Sequence, residues 1–321
     1  MIRTRGLVKK YGNFTAVDNL DLNIPSGEIY GFLGPNGAGK TSTILMILGI
    51  IRPTAGEVFL FEEKYTPDRL DMRNKIGVVP EKHPQGVWSW MTAFEYLQMF
   101  ADLFDLKRVY KDTQARIDYL LQQVDLHSVR NKRIAEFSRG MLQKLSIIRA
   151  LLHDPDILFL DEPISGLDPI GIKQIRDLIL AENREGRTIF ISSHLLSEME
   201  KLCHRVAIIY KGKLLAEDNM SSLLAKLIKD REILIDLESL PPDLADSLKE
   251  LPFVLDTTTR DNTLVIKVSK KGDFRKDLSS YLIKKNLVPL RIEEKALSLE
   301  EAFVTITNEN IDMFTEIGGR E

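Results

Sequence analysis

Eight residues, Gly34-Pro35-Asn36-Gly37-Ala38-Gly39-Lys40-Thr41, constrain this chain more than any other stretch. They fit the pattern G-x4-G-K-(S/T). A short apolar run, Ile29 to Leu33, precedes them and reads as a strand. An apolar helical pattern starts near Gly39 and is expected to end at Arg52-Pro53, because proline stops helices. Between a strand and a helix, glycines let consecutive backbone N–H groups turn inward around phosphate oxygens, and the helix adds its partial positive end. Lys40 would place an ammonium on β/γ-phosphates, Thr41 a hydroxyl on Mg²⁺, and Ser42 completes the phosphate-binding set. By chance the pattern arises in about one chain of this length in a hundred.

A second buried strand, Ile157 to Leu160, runs into two carboxylates, Asp161 and Glu162. Ligands of open α/β sheets bind at the carboxyl ends of strands. There Asp161 can hold Mg²⁺ and Glu162 can polarise an attacking water. Further strands are expected at Thr188 to Ser192 and Arg205 to Tyr210, with helices at Ile170 to Asn183 and Leu195 to Leu202. Such alternation implies a parallel sheet covered on both faces. Residues 86–152 carry helical periodicity, at Thr92 to Phe104 and Thr113 to Val124, and read as a helical insertion. These features define a P-loop nucleotide hydrolase, a class that includes metabolite kinases, GTPases and motor ATPases.

The 321 residues are room for about two domains. Apolar residues make up 44% and charged residues 28%, a globular composition that excludes a wholly disordered chain. With 44 basic and 47 acidic residues the net charge is −3, so no nucleic-acid partner is expected. The longest apolar stretch, Ile44 to Ile51, is far shorter than the roughly 20 residues of a membrane span. The N-terminus has no apolar signal core, and the single cysteine, Cys203, excludes an internal disulfide or a multi-cysteine metal site. A soluble, cytosolic protein is the expectation.

Three more features narrow the class. Ser138 is placed to cap a helix over Leu142 to Leu152, with Gly140 allowing close approach of an anion. Ser165-Gly166-Leu167-Asp168-Pro169 is a turn in which Asp168 caps the following helix and Pro169 takes its first position. His194 follows the buried strand Ile189 to Ser192; alone it would read as a packing or capping residue. In this order the motifs resemble the ATP-binding cassette (ABC) family, the ATPase subunits of ABC transporters, over about residues 2–218. Gly34 to Thr41 is similar to its Walker A motif, Ser138-Arg139-Gly140 to the centre of its LSGGQ signature, and Ile157 to Glu162 to Walker B with the catalytic glutamate. Ser165 to Asp168 is similar to the D-loop, His194 to the switch histidine, and Tyr11 to the aromatic that stacks on adenine. A strand-end tyrosine is the plainer reading of Tyr11.

The signature departs from consensus, reading Phe137-Ser-Arg-Gly-Met141, and Glu81 stands where the family has its Q-loop glutamine. Glu81 is therefore either a third Mg²⁺-site group beside Thr41 and Asp161 or a mechanical linker. The resemblance implies a RecA-like P-loop core with an α-helical insertion, binding ATP and Mg²⁺ between Walker A of one copy and the signature of a second. Glu162 and His194 would act in hydrolysis. An integral membrane permease would dock near Glu81 and residues 86–104, holding the chain at the cytoplasmic face of the membrane. Trp88 and Trp90 would line that groove or anchor the helical lobe.

Beyond residue 218 the expected order is β-α-β-β-α-β, the ferredoxin-like succession: Glu232–Leu237, Pro241–Glu250, Val254–Thr259, Thr263–Val268, Phe274–Lys285 and Val288–Ile292, then a helix at Leu299–Thr307. A cassette at 1–218 followed by a small α+β domain at 219–321 with Ser298 to Phe303 resembles the ATPase of ABC-2-type exporters. Alternatives are a soluble ABC-type ATPase of translation or DNA repair, and an importer ATPase with a regulatory C-terminal domain. The resemblance implies that the membrane subunit recognises the transported substrate, so the substrate is not read from this sequence.

Overall fold

The computed structural model describes residues 1–81, 88–227, 231–269, 272–295, 298–304 and 306. Met1–Met220 forms one compact unit, to which Ile306 also belongs, and Ser221–Thr305 forms a second, so the expected domain 219–321 does not hold as one piece at its C-terminal end. The division falls just after a strand that contains residue 218, the boundary expected from composition.

Strands of the first unit are β1 (Ile2–Tyr11), β2 (Phe14–Ile24), β3 (Ile29–Leu33), β4 (Ala55–Leu60), β5 (Glu63–Lys64), β6 (Ile76–Val79), β7 (Ile157–Asp161), β8 (Thr188–Ser193), β9 (Arg205–Tyr210) and β10 (Lys213–Asn219). They form two sheets. The six-stranded sheet has the order β10-β9-β3-β8-β7-β6 and is parallel except for β10. β3, β7 and β8 are buried along their whole length, as strands covered on both faces must be. Phe190 sits at the middle of this core, with the rings of Tyr30, Phe32 and Phe159 at 5.7, 5.4 and 5.3 Å between centroids. The second sheet, β2-β1-β4-β5, is antiparallel, and the sequence reading did not anticipate it.

The helix after the P-loop runs Lys40–Ile47 and stops earlier than Arg52-Pro53. Gly49, at φ 68°, turns the chain left-handed; its N–H donates to the Met46 carbonyl and that of Ile50 to Leu45. This glycine cap closes the last turn before the proline is reached. The helical insertion holds Ala93–Leu103, Thr113–Gln123 and Arg139–Leu151; its expected residues 86 and 87 lie outside the described residues. The last of these helices begins three residues before Leu142, directly after its Ser138 cap. Pro169–Arg184 and Leu196–Leu202 complete the covering of the parallel sheet.

The second unit holds β11 (Arg231–Leu237), β12 (Val254–Arg260), β13 (Thr263–Val268) and β14 (Pro289–Lys295), in the antiparallel order β12-β13-β11-β14. Helices Leu244–Lys249 and Arg275–Lys284 supply Leu244, Leu248, Leu278 and Leu282 to a core shared with Ile233, Ile235, Leu264 and Ile266. The first of them starts at Leu244, not Pro241, which instead accepts the Leu244 N–H in a turn. Of the helix expected at Leu299–Thr307, residues 299–304 and 306 are helical; 305 and 307 lie outside the described residues.

Candidate nucleotide site

Parallel pairing sets Leu33 beside Ser193 and Asp161 beside Ser192, so β3, β7 and β8 end together. The chemistry-bearing residues leave the sheet at that edge. Gly39, at φ 107°, caps the P-loop helix in a conformation that L side chains rarely adopt. Lys40 is thereby turned back over its own loop. Its Nζ donates to the carbonyls of Gly34 at 2.6 Å and Pro35 at 3.2 Å. Burial lowers the Lys40 pKa, while the carboxylates of Glu162, Asp161 and Glu81 pull it back up.

Asp161 is buried, and burial raises its pKa; the Ser192 hydroxyl, donating to Oδ1, opposes that rise, while Glu81 and Glu162 add to it. Its Oδ2 accepts from the Thr41 hydroxyl at 3.4 Å. Glu162 follows at φ 52°, a left-handed backbone that costs a non-glycine residue about 1–3 kcal/mol. Its N–H donates to the Ser192 carbonyl at 3.0 Å. Its Oε2 accepts from the Ser193 hydroxyl at 3.3 Å and lies 2.8 Å from His194 Nδ1.

Above these groups lies a cavity of about 390 Å³, lined by Tyr11, Phe14, Ala16, Pro35, Asn36, Gly37, Gly39, Lys40, Thr41, Ser42, Glu81, Asp161 and Glu162. Most of the residues singled out in the sequence therefore share one space. Gly34 and Ala38 do not line it: the Gly34 carbonyl holds Lys40, and the Ala38 side chain joins the hydrophobic core. His194 reaches the site through Glu162. Ser138, Gly140 and Asp168 stand outside the cavity. Ser138 caps its helix through the Met141 N–H at 3.2 Å, and Asp168 caps the next through the Gly171 N–H at 2.7 Å.

Sequence reasoning missed Phe14, Ala16, Ser192 and Ser193. Phe14 was within reach, since Gly12-Asn13 between extended runs is a hairpin signal, and Tyr11 pairs with Phe14 across it. The serines carry no such signal.

Residues 17–165 match the ABC transporter family model. The bacitracin transport ATP-binding protein BcrA of Enterococcus faecalis is 34% identical over 307 residues, spanning 94% of this chain and 95% of its own. BcrA of Bacillus licheniformis is 45% identical over 218 residues, 68% of this chain and 69% of its own. The lantibiotic transport ATP-binding protein SrtF of Streptococcus pyogenes is 36% identical over 217 residues, covering 68% and 90%. Among solved structures, an ATP-binding subunit of an ABC transporter superposes with a TM-score of 0.64 at 25% identity, covering 70% of this chain and 92% of that one. A dimeric ATP-binding cassette in a post-hydrolysis state, bound to ADP and Pi, matches with a TM-score of 0.60 at 26% identity, covering 68% and 99%. The chain belongs to the ABC transporter ATP-binding family. It is an ATP-binding subunit built as an ATPase.

Proposed function

We propose that this subunit powers an ABC-2-type exporter by closing on a second copy of itself around ATP and then hydrolysing it. The observation that carries this reading is the cavity where Lys40 and Thr41, from one loop, meet Asp161 and Glu162, from another strand. Lys40 binds the β/γ-phosphates. Tyr11 stacks on the adenine, with Phe14 beside it. The oxygens of Thr41 and Asp161 lie 3.4 Å apart, and such hard donors suit Mg²⁺, which keeps its other positions for water and phosphate. Those two residues, with Glu81 at the cavity wall, would hold the ion, which supplies charge neutralisation at the phosphates. Glu162 orients and deprotonates the attacking water, with His194 and Ser193 fixing its Oε2. On closure His194 holds the γ-phosphate. Ser138 and Gly140 of the second copy cover that phosphate from across the interface; that a similar cassette is dimeric with ADP and Pi supports the pairing of two copies.

A second cavity supports a membrane partner. Leu48, Ile50, Tyr65, Leu70, Ile76, Val78, Leu103 and Phe104, with Arg73 and Asn74, line a largely apolar groove of about 390 Å³, in which Ile50, Leu70 and Leu103 are exposed. A permease segment of apolar character fits there. Its wall shares Leu103 and Phe104 with the docking region expected from the sequence, whereas Trp90 is 66% exposed and neither tryptophan lines it. Among the described residues no helix is long and apolar enough to cross a membrane, so attachment to the cytoplasmic face would run through that permease. The names of BcrA and SrtF assign those proteins to transport of bacitracin and of lantibiotics, and we carry that class of cargo over to this chain. The second unit, with its β-α-β-β-α-β succession, we class as a ferredoxin-like accessory domain that does no chemistry.

The test is light scattering of the Glu162→Gln chain with ATP and Mg²⁺. A species of twice the chain mass, absent when Lys40→Ala is added, is expected. A monomer under all conditions would refute the dimer mechanism.

A further inference from the structure

Arg139 replaces a glycine of the family signature, and the nucleotide cavity of its own chain makes no use of it. It is exposed and opens the helix Arg139–Leu151. A cation in the first turn is disfavoured by the helix dipole, so helix stability does not explain the residue. Its surroundings do. The Arg139 side chain lies along Gly166, which turns at φ 74°. A Cβ at Gly166 would stand 2.7 Å from Arg139 Nε, 2.9 Å from Cζ and 3.0 Å from Cδ. Arg139 Nη2 also donates to the Ser165 hydroxyl at 3.4 Å. One residue on, a Cβ at Gly140 would stand 3.3 Å from Leu167 Cδ2.

Two successive residues of the Ser138 turn thus rest on three successive residues of the Ser165 turn. Each turn is fastened to its own helix, by Ser138 and by Asp168. The Ser165 turn begins at Glu162, whose carbonyl accepts the Ser165 N–H at 3.2 Å.

We propose that Arg139 is a positioning residue that locks the Ser138–Gly140 turn to the Ser165–Asp168 turn of the same chain, so that both meet a nucleotide-loaded second copy as one preformed surface. The proposal rests on the dimer reading above. Gly166 is required by its own left-handed backbone, at φ 74°, and Arg139 uses the floor without a side chain that this leaves. Locking the turns before association removes an ordering cost from closure.

The experiment uses the full chain in the Glu162→Gln background. It measures the ATP concentration that half-saturates dimer formation, and the affinity of the monomer for ATP at sub-dimerising protein concentration. In the parent background it measures kcat and KM. Arg139→Ala and Gly166→Ala should each raise the ATP needed for dimerisation about 3- to 10-fold, the worth of one modest contact, and lower kcat with little change in monomer affinity. Combining them should be no worse than Gly166→Ala alone, because both break one contact. Arg139→Lys, which keeps the stem over Gly166, should recover part of the loss. If Glu162→Gln forms no dimer with ATP, the dimer reading fails first. If it does, and Arg139→Ala behaves as its parent, the lock is wrong. Additive losses in the double variant would also overturn it, since Arg139 would then act directly on the second copy's nucleotide.

Discussion

The two units differ most in what they bury. Met1–Met220 buries Lys40, Asp161, Glu162, Ser192 and Ser193, and these converge on one cavity edge. In Ser221–Thr305, Thr257 is the buried polar residue among those described, and its hydroxyl donates to the Ala245 carbonyl at 2.9 Å. Both units have hydrophobic sheet cores, of Ile, Leu and Val in the second and of these with Phe, Tyr and Met in the first. Burying a charge is costly unless it is paired, so charge inside a fold marks where it has been retained for chemistry. By that measure the first unit holds the reaction, and it is on this ground that we propose a purely structural second unit.

The contrast can be broken most forcefully at Lys40. Lys40→Ala removes the cavity's cation, and kcat/KM for ATP should fall about 10²- to 10³-fold. A steady-state ATPase assay retaining most activity would remove the site from this cavity. In the second unit, Ile266→Ala deletes a fully buried side chain and should cost about 2–5 kcal/mol of that unit's stability, seen by denaturant unfolding. ATP affinity, measured by calorimetry below the transition, should not change. A matching loss of affinity would deny the second unit its purely structural standing.

Asp161 sharpens the comparison with a smaller effect. Its pKa is raised in the fold, so the folded state binds the proton more tightly than the unfolded chain. Stability from this group is therefore greatest below the ordinary carboxylate range and is lost as pH rises through the raised value. Asp161→Asn should raise the melting temperature of the nucleotide-free protein at neutral pH, by about 2–4 °C per kcal/mol relieved, and flatten its acid-side pH dependence. A lowered melting temperature would contradict it. Glu81→Gln should have the smallest effect. It removes one negative charge from an exposed cavity wall, so the Mg²⁺ needed for half-maximal activity should rise by no more than about 5-fold. Identical Mg²⁺ titrations would make Glu81 a linker.

What could be read from the sequence follows the same division. The P-loop, the acidic end of β7 and the caps at Ser138 and Asp168 were legible because their chemistry demands given residue types at fixed spacing. Of the six-stranded sheet, β3, β7, β8 and β9 were legible as short apolar runs, whereas β6 and β10 were not. Nor was the antiparallel sheet. β1 reads Ile-Arg-Thr-Arg-Gly-Leu-Val-Lys-Lys-Tyr and pairs with β2 through three register shifts, so no clean two-residue alternation survives. The end of the P-loop helix was misplaced because apolar residues continue to Ile51 beyond the Gly49 cap. The left-handed backbone of Glu162 has no residue-type signature. It arises where β7 and β8 meet, with the Glu162 N–H held by the Ser192 carbonyl.

The central claim is that this cavity hydrolyses ATP with Glu162 as its water-activating group. The most direct measurement is the ATP turnover of Glu162→Gln beside its ATP affinity, both in Mg²⁺. The account predicts turnover lowered by at least about 10²-fold with affinity retained, because the substitution keeps the shape and removes the base. Turnover close to that of the unmodified chain would contradict it.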